Sequence, residues 1–226
     1  MKKVTMLWVG WMVVCYSSVM NAKELPDGFS DIEAEIPGAM IELRYITNHN
    51  FVGNKVDGYL TARGILSSKA VAALKNVQKD LRRFDLGIKV FDAYRPQRAV
   101  DHFVRWAKDL SDQKTKSIYY PDVEKSQLFA LDYIASRSGH TRGSTLDLTL
   151  ISLSSGDELD MGSGFDFFGK ESWPEHKELT LQQRANRMLL QTVMVKHGFL
   201  PYPKEWWHFT LSNEPYPETY FDFAIE

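Results

Sequence analysis

Six histidines occur in the chain, and two of them sit in settings that could do chemistry. His140 lies in SGHTRGSTLDLTL and His208 lies in KEWWHFT. The first run passes from a glycine-flanked loop into a segment where Leu146, Leu148 and Leu150 alternate with Thr145, Asp147 and Thr149. A carboxylate on a strand whose other face is leucine-rich is costly to bury unless something pairs with it. A zinc ion would supply that pairing. Two neutral imidazoles and one carboxylate form a catalytic zinc set that leaves a fourth position for water. Glu205, three residues before His208, would then be the carboxylate that takes a proton instead of ligating the metal. Taken singly, each signal has a plainer reading. A lone histidine is more often packed or exposed than ligating, Asp147 could cap a turn, and Glu205 could be a solvated charge. The helical zinc motif, two histidines four apart with a glutamate beside the first, is absent.

The elements must bring these residues together. Asp147 follows His140 by seven positions, so the two cannot share a face of one regular strand. His140 must therefore sit in the loop, with Gly143 letting the chain turn. Glu205 and His208 would also face opposite sides of a regular strand, which requires a bend near Trp206. Trp206 and Trp207 could then wall the site against water. Apolar spacing predicts a helix over 67–84 on Val71, Leu74, Val77, Leu81 and Phe84, capped by Ser67 or Ser68. A second helix is predicted over 97–110, a third over 125–136, and a fourth over 180–197 ending at Gly198. Strands are predicted at 86–92, at 145–151 as a half-buried strand, and at 206–211. Helices and strands mix without strict alternation, which predicts an α+β fold. The expectation is a single domain with a central, mostly antiparallel sheet carrying the zinc site, flanked by helices.

Composition narrows the alternatives. The chain has 226 residues, 44% hydrophobic and 25% charged, which is ordinary globular usage and excludes a disordered or collagen-like chain. The formal charge is −2 and no basic run occurs, which disfavours nucleic acid as a partner. Cys15 is the only cysteine, so a disulfide scaffold or a cysteine-based zinc finger is excluded. Residues 1–22 combine Lys2 and Lys3, an apolar stretch from Leu7 to Val14, and small residues up to Ala22. This is the build of a secretory signal, with an apolar core too short for the ~20 residues of a membrane span. Its removal takes two lysines and no acids from the 27 basic and 29 acidic residues and leaves a formal charge of −4. Residues 23–226 would form the mature domain, periplasmic, with no stable membrane insertion. Nothing in the sequence fixes an oligomeric state.

The motifs together resemble a known family. Ser138, His140, Gly143 and Asp147 fit the pattern Ser-x-His-x-x-Gly-x-x-x-Asp, and EWWHF supplies Glu205-x-x-His208. The segments RYITNHNFVGNKVDGYL near residue 44, FDAYRP at 91–96, DMGSGFDFF at 160–168 and EPYPETYFDF at 214–223 extend the likeness. The chain closely resembles the zinc-dependent D-alanyl-D-alanine dipeptidases of the vancomycin-resistance type over most of its length after residue 30. The resemblance implies one zinc per chain on His140, Asp147 and His208, with Glu205 as catalytic base. It implies that Arg95 steadies the developing oxyanion, that Tyr45 and Asp166 hold the amino end of a small dipeptide, and that Ser138 and Tyr59 lie near its carboxylate end. An arginine that cannot deprotonate suits an oxyanion; the alternative for Arg95 is a structural ion pair with Asp92. Resistance members of the family act in the cytoplasm, so a secretion signal points to dipeptides released by wall turnover.

The expected activity is hydrolysis of D-Ala-D-Ala to two D-alanines, linked to peptidoglycan precursors or turnover. The alternative is a D,D- or L,D-carboxypeptidase trimming peptidoglycan stem peptides at the same metal site; Tyr45 and Asp166, as partners for a free amine, favour the dipeptidase. A non-catalytic zinc module would lack a base such as Glu205. A serine hydrolase is disfavoured because no Gly-x-Ser-x-Gly elbow occurs.

Overall fold

A computed structural model describes residues 24–226; the signal expected over 1–22 lies outside the described residues. The elements run in the order β1 (Phe29–Asp31), α1 (Ile32–Glu35), β2 (Met40–Ile41), β3 (Ile65–Ser67), α2 (Ser68–Leu81), β4 (Leu86–Asp92), α3 (Gln97–Lys108), α4 (Lys116–Tyr119), β5 (Thr145–Ser152), α5 (Leu181–Lys196), β6 (Phe199–Tyr202) and β7 (Glu205–Leu211). Five strands form one sheet in the order β2-β4-β5-β7-β6. Only the β2–β4 pair is parallel; the other three pairs are antiparallel. β1 and β3 form a separate antiparallel pair. The α+β architecture with a central, mostly antiparallel sheet is as the sequence predicts. Among the described residues no helix is long and apolar enough to cross a membrane.

Helix α2 starts where Ser67 Oγ accepts from the Ala70 amide, a cap that satisfies one of the free amides of the first turn. Its buried stripe, Val71, Leu74, Val77 and Leu81, repeats at three and four residues and seals against β4 and α5. Thr180 and Gln183 cap α5 reciprocally, and Gly198 leaves the helix at φ +87°, a left-handed exit that glycine makes at no steric cost.

Two expectations need correction. The segment 125–136 is not a helix; only Lys125–Gln127 makes a 3-10 turn. Lys125 is buried, its Nζ donates to the carbonyls of Asp109 and Asp112 at 2.7 and 2.5 Å, and it lies 4.0 Å from the centroid of the Trp106 ring. That anchorage curls the chain, and Asp132 follows at φ +63°. Strand β5 is also not half-buried. It is the third of five strands, and Thr145, Asp147 and Thr149 are as buried as the leucines between them. Its polar alternation marks an enclosed polar face, not a solvent face.

Candidate active site

Three adjacent strands set polar groups in a row. Asp147 on β5 pairs directly with His208 on β7, and opposed residues of an antiparallel pair project to the same face. On the other side of β5, a register shift between Val90 and Asp92 brings Asp92 opposite Asp147. Such a bulge re-aims side chains at the end of a pairing. The bend expected near Trp206 is present as a break in the β6–β7 register: Pro201 pairs with Phe209, yet Tyr202 pairs with Glu205. Glu205 Oε2 thereby comes within 3.4 Å of His208 Nδ1.

His140 arrives from the loop, as the spacing requires. It occupies a 3-10 turn, Gly139–Arg142, capped by Ser138 and ended by Gly143 at φ +79°. A side chain at Gly143 would also run into the Phe29 ring, so both conformation and space demand glycine. His140 Nδ1 lies 2.8 Å from the Ala93 carbonyl. Donating there leaves Nε2 to face the cluster as an acceptor, the usual arrangement behind a metal-ligating histidine.

The cluster has the shape of a cation site. His140 Nε2 is 3.4 Å from Asp147 Oδ2 and 3.3 Å from His208 Nδ1, and His208 Nδ1 is 3.0 Å from Asp147 Oδ1. One ligand atom from each of the three residues lies within 4.8 Å of the others. Asp147 Oδ1, close as it is to His208 Nδ1, accepts no well-aligned hydrogen bond, and a buried carboxylate oxygen among two imidazoles is what a cation would satisfy. Residues and chemistry therefore fit a divalent metal. Burial pushes the His140 pKa down, against the pull of Asp147, which keeps the ring neutral. At His208 burial also works against the charged form, but Asp147 and Glu205 outweigh it and the pKa rises. Asp147 is held well below the carboxylate range because the two histidines overcome its burial. Burial, with Asp147 adding to it, pushes Glu205 up to about 7, the range suited to a general base.

The cluster opens into a cavity of about 250 Å³, smaller than the ~300–1,000 Å³ pockets that take drug-sized ligands. Arg95, Tyr45, Asp166 and Ser138 all line it, together with the three candidate ligands and Glu205. Arg95 forms the ion pair with Asp92 and also reaches the cavity. Its Nε and Nη2 lie 2.8 Å from Asp92 Oδ2, and it still faces the cavity, with Nη2 3.7 Å from Asp147 Oδ2. Tyr45 donates its hydroxyl to Asp166 at 2.9 Å. Burial and the nearby Asp147 push the Asp166 pKa well up, an effect that a bound cation would counter. Asp166 also stands at φ +62°, a left-handed conformation that aspartate tolerates better than most residues.

Tyr59 departs from expectation. It does not line the cavity; its buried hydroxyl donates to Asp92 Oδ1 at 2.6 Å, behind Arg95. Trp206 and Trp207 do not wall the cavity either. Trp206 Nε1 donates to Ser163 Oγ, and Trp207 packs edge-on against Phe165. The apolar walls of the cavity include Phe51, Phe103, Phe168, Tyr133 and Tyr202. Arg137, one residue before Ser138, lines the cavity as well, with its guanidinium 4.9 Å from the Tyr220 ring centroid. Phe103 is legible as part of the apolar face of the helix over 97–110, Phe51 and Phe168 fall in the segments that carry the family likeness, and Arg137 stands next to the Ser-x-His motif; Tyr133 and Tyr202 carry no signal.

Comparison with known proteins decides the family. The family model described as D-ala-D-ala dipeptidase, of the M15 peptidases, matches residues 26–226. The chain belongs to this dipeptidase family. It is 42% identical over 202 residues to a D-alanyl-D-alanine dipeptidase of Enterococcus faecalis, covering 89% of this chain and 100% of that one. It is 40% identical over 197 residues to a dipeptidase of the same name from Streptomyces coelicolor, covering 87% and 98%. The solved LD-carboxypeptidase LdcB aligns over 84% of this chain and 70% of its own at 18% identity and TM-score 0.42. The protein is thus a peptidase, and its candidate site occupies residues that the family model spans.

Proposed function

We propose that this enzyme is a zinc-dependent dipeptidase that hydrolyses D-Ala-D-Ala to two D-alanines. The observation that carries the reading is the convergence of His140, Asp147 and His208 on one point, with Glu205 beside them and Asp166 in the same cavity. Zinc held by the three ligands would polarise the peptide carbonyl and make a water easier to deprotonate. Glu205 takes the proton of the attacking water as the water oxygen adds to the carbonyl carbon. It returns that proton to the departing amine nitrogen as the C–N bond breaks. Arg95 faces the charge that develops on the carbonyl oxygen. Asp92, accepting from both Arg95 and Tyr59, keeps the guanidinium fixed.

The cavity sorts the two charged ends of a free dipeptide. Asp166, steadied by the Tyr45 hydroxyl, pairs with the ammonium. Ser138 and Arg137 serve the carboxylate. A capped amine would forfeit that charge-assisted pair, so a peptidase acting on longer chains gains nothing from Asp166. The signal-like residues 1–22 support a periplasmic enzyme supplied by dipeptides from peptidoglycan turnover, and cell fractionation tests that placement. The activity itself is tested by following release of D-alanine from D-Ala-D-Ala by the purified protein. A chelator should abolish release and stoichiometric zinc, one ion per chain, should restore it. Full activity in chelator-stripped protein would overturn the reading.

A further inference from the structure

The segment that carries Asp166 has no strand to hold it. Residues 161–173 lie between β5 and α5 and form no ladder; their only regular structure is a 3-10 turn at Lys170–Ser172. Yet Asp166 is buried in a left-handed conformation, and a residue in such a conformation stays there only if its surroundings hold it.

A buried guanidinium on α5 holds both stems of the loop, and beside it the Phe168 amide donates to the Tyr119 carbonyl at 2.7 Å and Trp206 Nε1 to Ser163 Oγ. Arg187 is 4% exposed. Its Nε donates to the Met161 carbonyl at 2.6 Å, Nη1 to Trp173 at 2.8 Å and Nη2 to Glu171 at 2.7 Å. These acceptors lie at the two stems of the loop. Among the described residues no carboxylate forms an ion pair with Arg187, so its hydrogen bonds go to the loop backbone, while its guanidinium lies 5.9 Å from the Trp206 ring centroid. Burial depresses its pKa to about 10, still charged at neutral pH. A single group donating in three directions to both stems closes the loop as a clasp does. The preceding residue adds one bond, Asn186 Nδ2 to the Asp160 carbonyl at 2.8 Å. Inside the clasp, Phe165 stacks on Phe91 of β4 with centroids 4.8 Å apart, which sets the depth of the neighbouring Asp166.

We propose that Arg187 is a positioning residue for amine selection: by gripping Met161, Glu171 and Trp173 it fixes Asp166 against Tyr45 and so sets the preference for a free amino terminus. The proposal rests on the dipeptidase reading above. Arg187 touches neither the metal ligands nor Glu205, so losing it should spare metal binding and the proton transfers. A lysine cannot substitute, because one ammonium on a flexible stem does not span three divergent carbonyls. Displacements of about 1 Å can cost up to ~10²-fold in well-oriented reactions.

The test compares unmodified enzyme, Arg187→Ala and Arg187→Lys on D-Ala-D-Ala and on its N-acetylated form, with bound zinc and hydrogen exchange of the 161–173 amides measured on each. Arg187→Ala should keep its zinc and most of its kcat. Its KM for the free dipeptide should rise by about tenfold or more, the preference over the acetylated form should shrink, and the loop amides should exchange faster. Arg187 also borders a surface groove beside Met188 and Gln191, so millimolar guanidinium ion can reach the space vacated by the alanine. It should restore the preference in Arg187→Ala and leave the unmodified enzyme unchanged. If Arg187→Ala does not fold, Arg187→Lys must show the same loss of preference in weaker form. Unchanged selectivity in a soluble, zinc-loaded variant overturns the proposal. So does an equal fall of kcat on both substrates without guanidinium rescue, which would make Arg187 merely structural. If the unmodified enzyme cleaves neither substrate, the dipeptidase reading fails, whereas a failure confined to the variants leaves that reading standing.

Discussion

His208 is held opposite Asp147 by main-chain pairing between β5 and β7, whereas Asp166, lining the same cavity, stands on a loop fastened by side chains from α5. Two of the three candidate ligands at the metal end, Asp147 and His208, are therefore set by the ladder of the five-stranded sheet, with His140 brought in by a 3-10 turn. The amine end is built from a segment whose place depends on a few donors to carbonyls. Bond making needs ligands and base fixed to fractions of an ångström, which a strand ladder provides. Choosing a substrate needs one charge at the right depth, and a loop can supply that and be altered without disturbing the sheet.

Substitution can break the comparison at either end. At the metal end, Asp147→Ala should remove most bound zinc and with it all measurable turnover. Glu205→Ala should keep the zinc and lose about 10²–10⁴-fold in kcat, the worth of a general base. Elemental analysis beside turnover separates the two, and a zinc-free Glu205→Ala protein would move Glu205 into the ligand set.

Proton competition sharpens the same end. In the metal-free protein the His208 pKa is raised, because Asp147 and Glu205 outweigh the effect of burial. A ligand must be deprotonated to bind metal, so zinc has to displace that proton. Apparent zinc affinity should be constant above the raised pKa and fall as pH drops through it, by about tenfold per pH unit for one proton exchanged. Zinc titration of the apo-protein at stepped pH checks this; a flat profile across the ordinary histidine range would remove His208 as a ligand.

At the amine end the smallest effect is expected from Tyr45→Phe. It deletes the hydrogen bond to Asp166 and leaves the carboxylate in place. A bond to a charged group is worth about 1.5–3 kcal/mol, so KM for the free dipeptide should rise by about tenfold with kcat nearly unchanged. An equal loss in kcat would place Tyr45 at the reacting carbonyl instead.

The two ends also differ in how far they can be read from sequence. Asp147 and His208 announce themselves because period-2 alternation assigns each a strand face, and because a carboxylate among leucines asks for a partner. The odd spacing from His140 forces the loop that the 3-10 turn supplies. Asp166 has no such signal, since its conformation follows from Arg187, a residue twenty-one positions later that reads as an ordinary member of an amphipathic helix. The 125–136 segment misleads for a related reason. Leu128 and Ile134 are buried, as in a helix, but the long-range bonds of Lys125 override local propensity. Tyr59 likewise serves Asp92 and not the cavity, because register shifts at the end of β4 decide which groups face inward. Periodicity reports faces; it does not report bulges or clasps.

The most direct test is one ratio, the kcat/KM of the unmodified enzyme loaded with zinc for D-Ala-D-Ala over that for N-acetyl-D-Ala-D-Ala. Acetylation removes the ammonium and leaves Asp166 buried beside Asp147 without its cation. The free ammonium makes a charge-assisted hydrogen bond worth about 1.5–3 kcal/mol, which is lost when Asp166, its pKa pushed up by burial, faces a neutral amide; about 1.4 kcal/mol is tenfold in rate. The free dipeptide should therefore be preferred by about tenfold to hundredfold, and Asp166→Ala should narrow that gap. Equal cleavage of the two substrates would contradict the account and point to a carboxypeptidase acting on longer peptides.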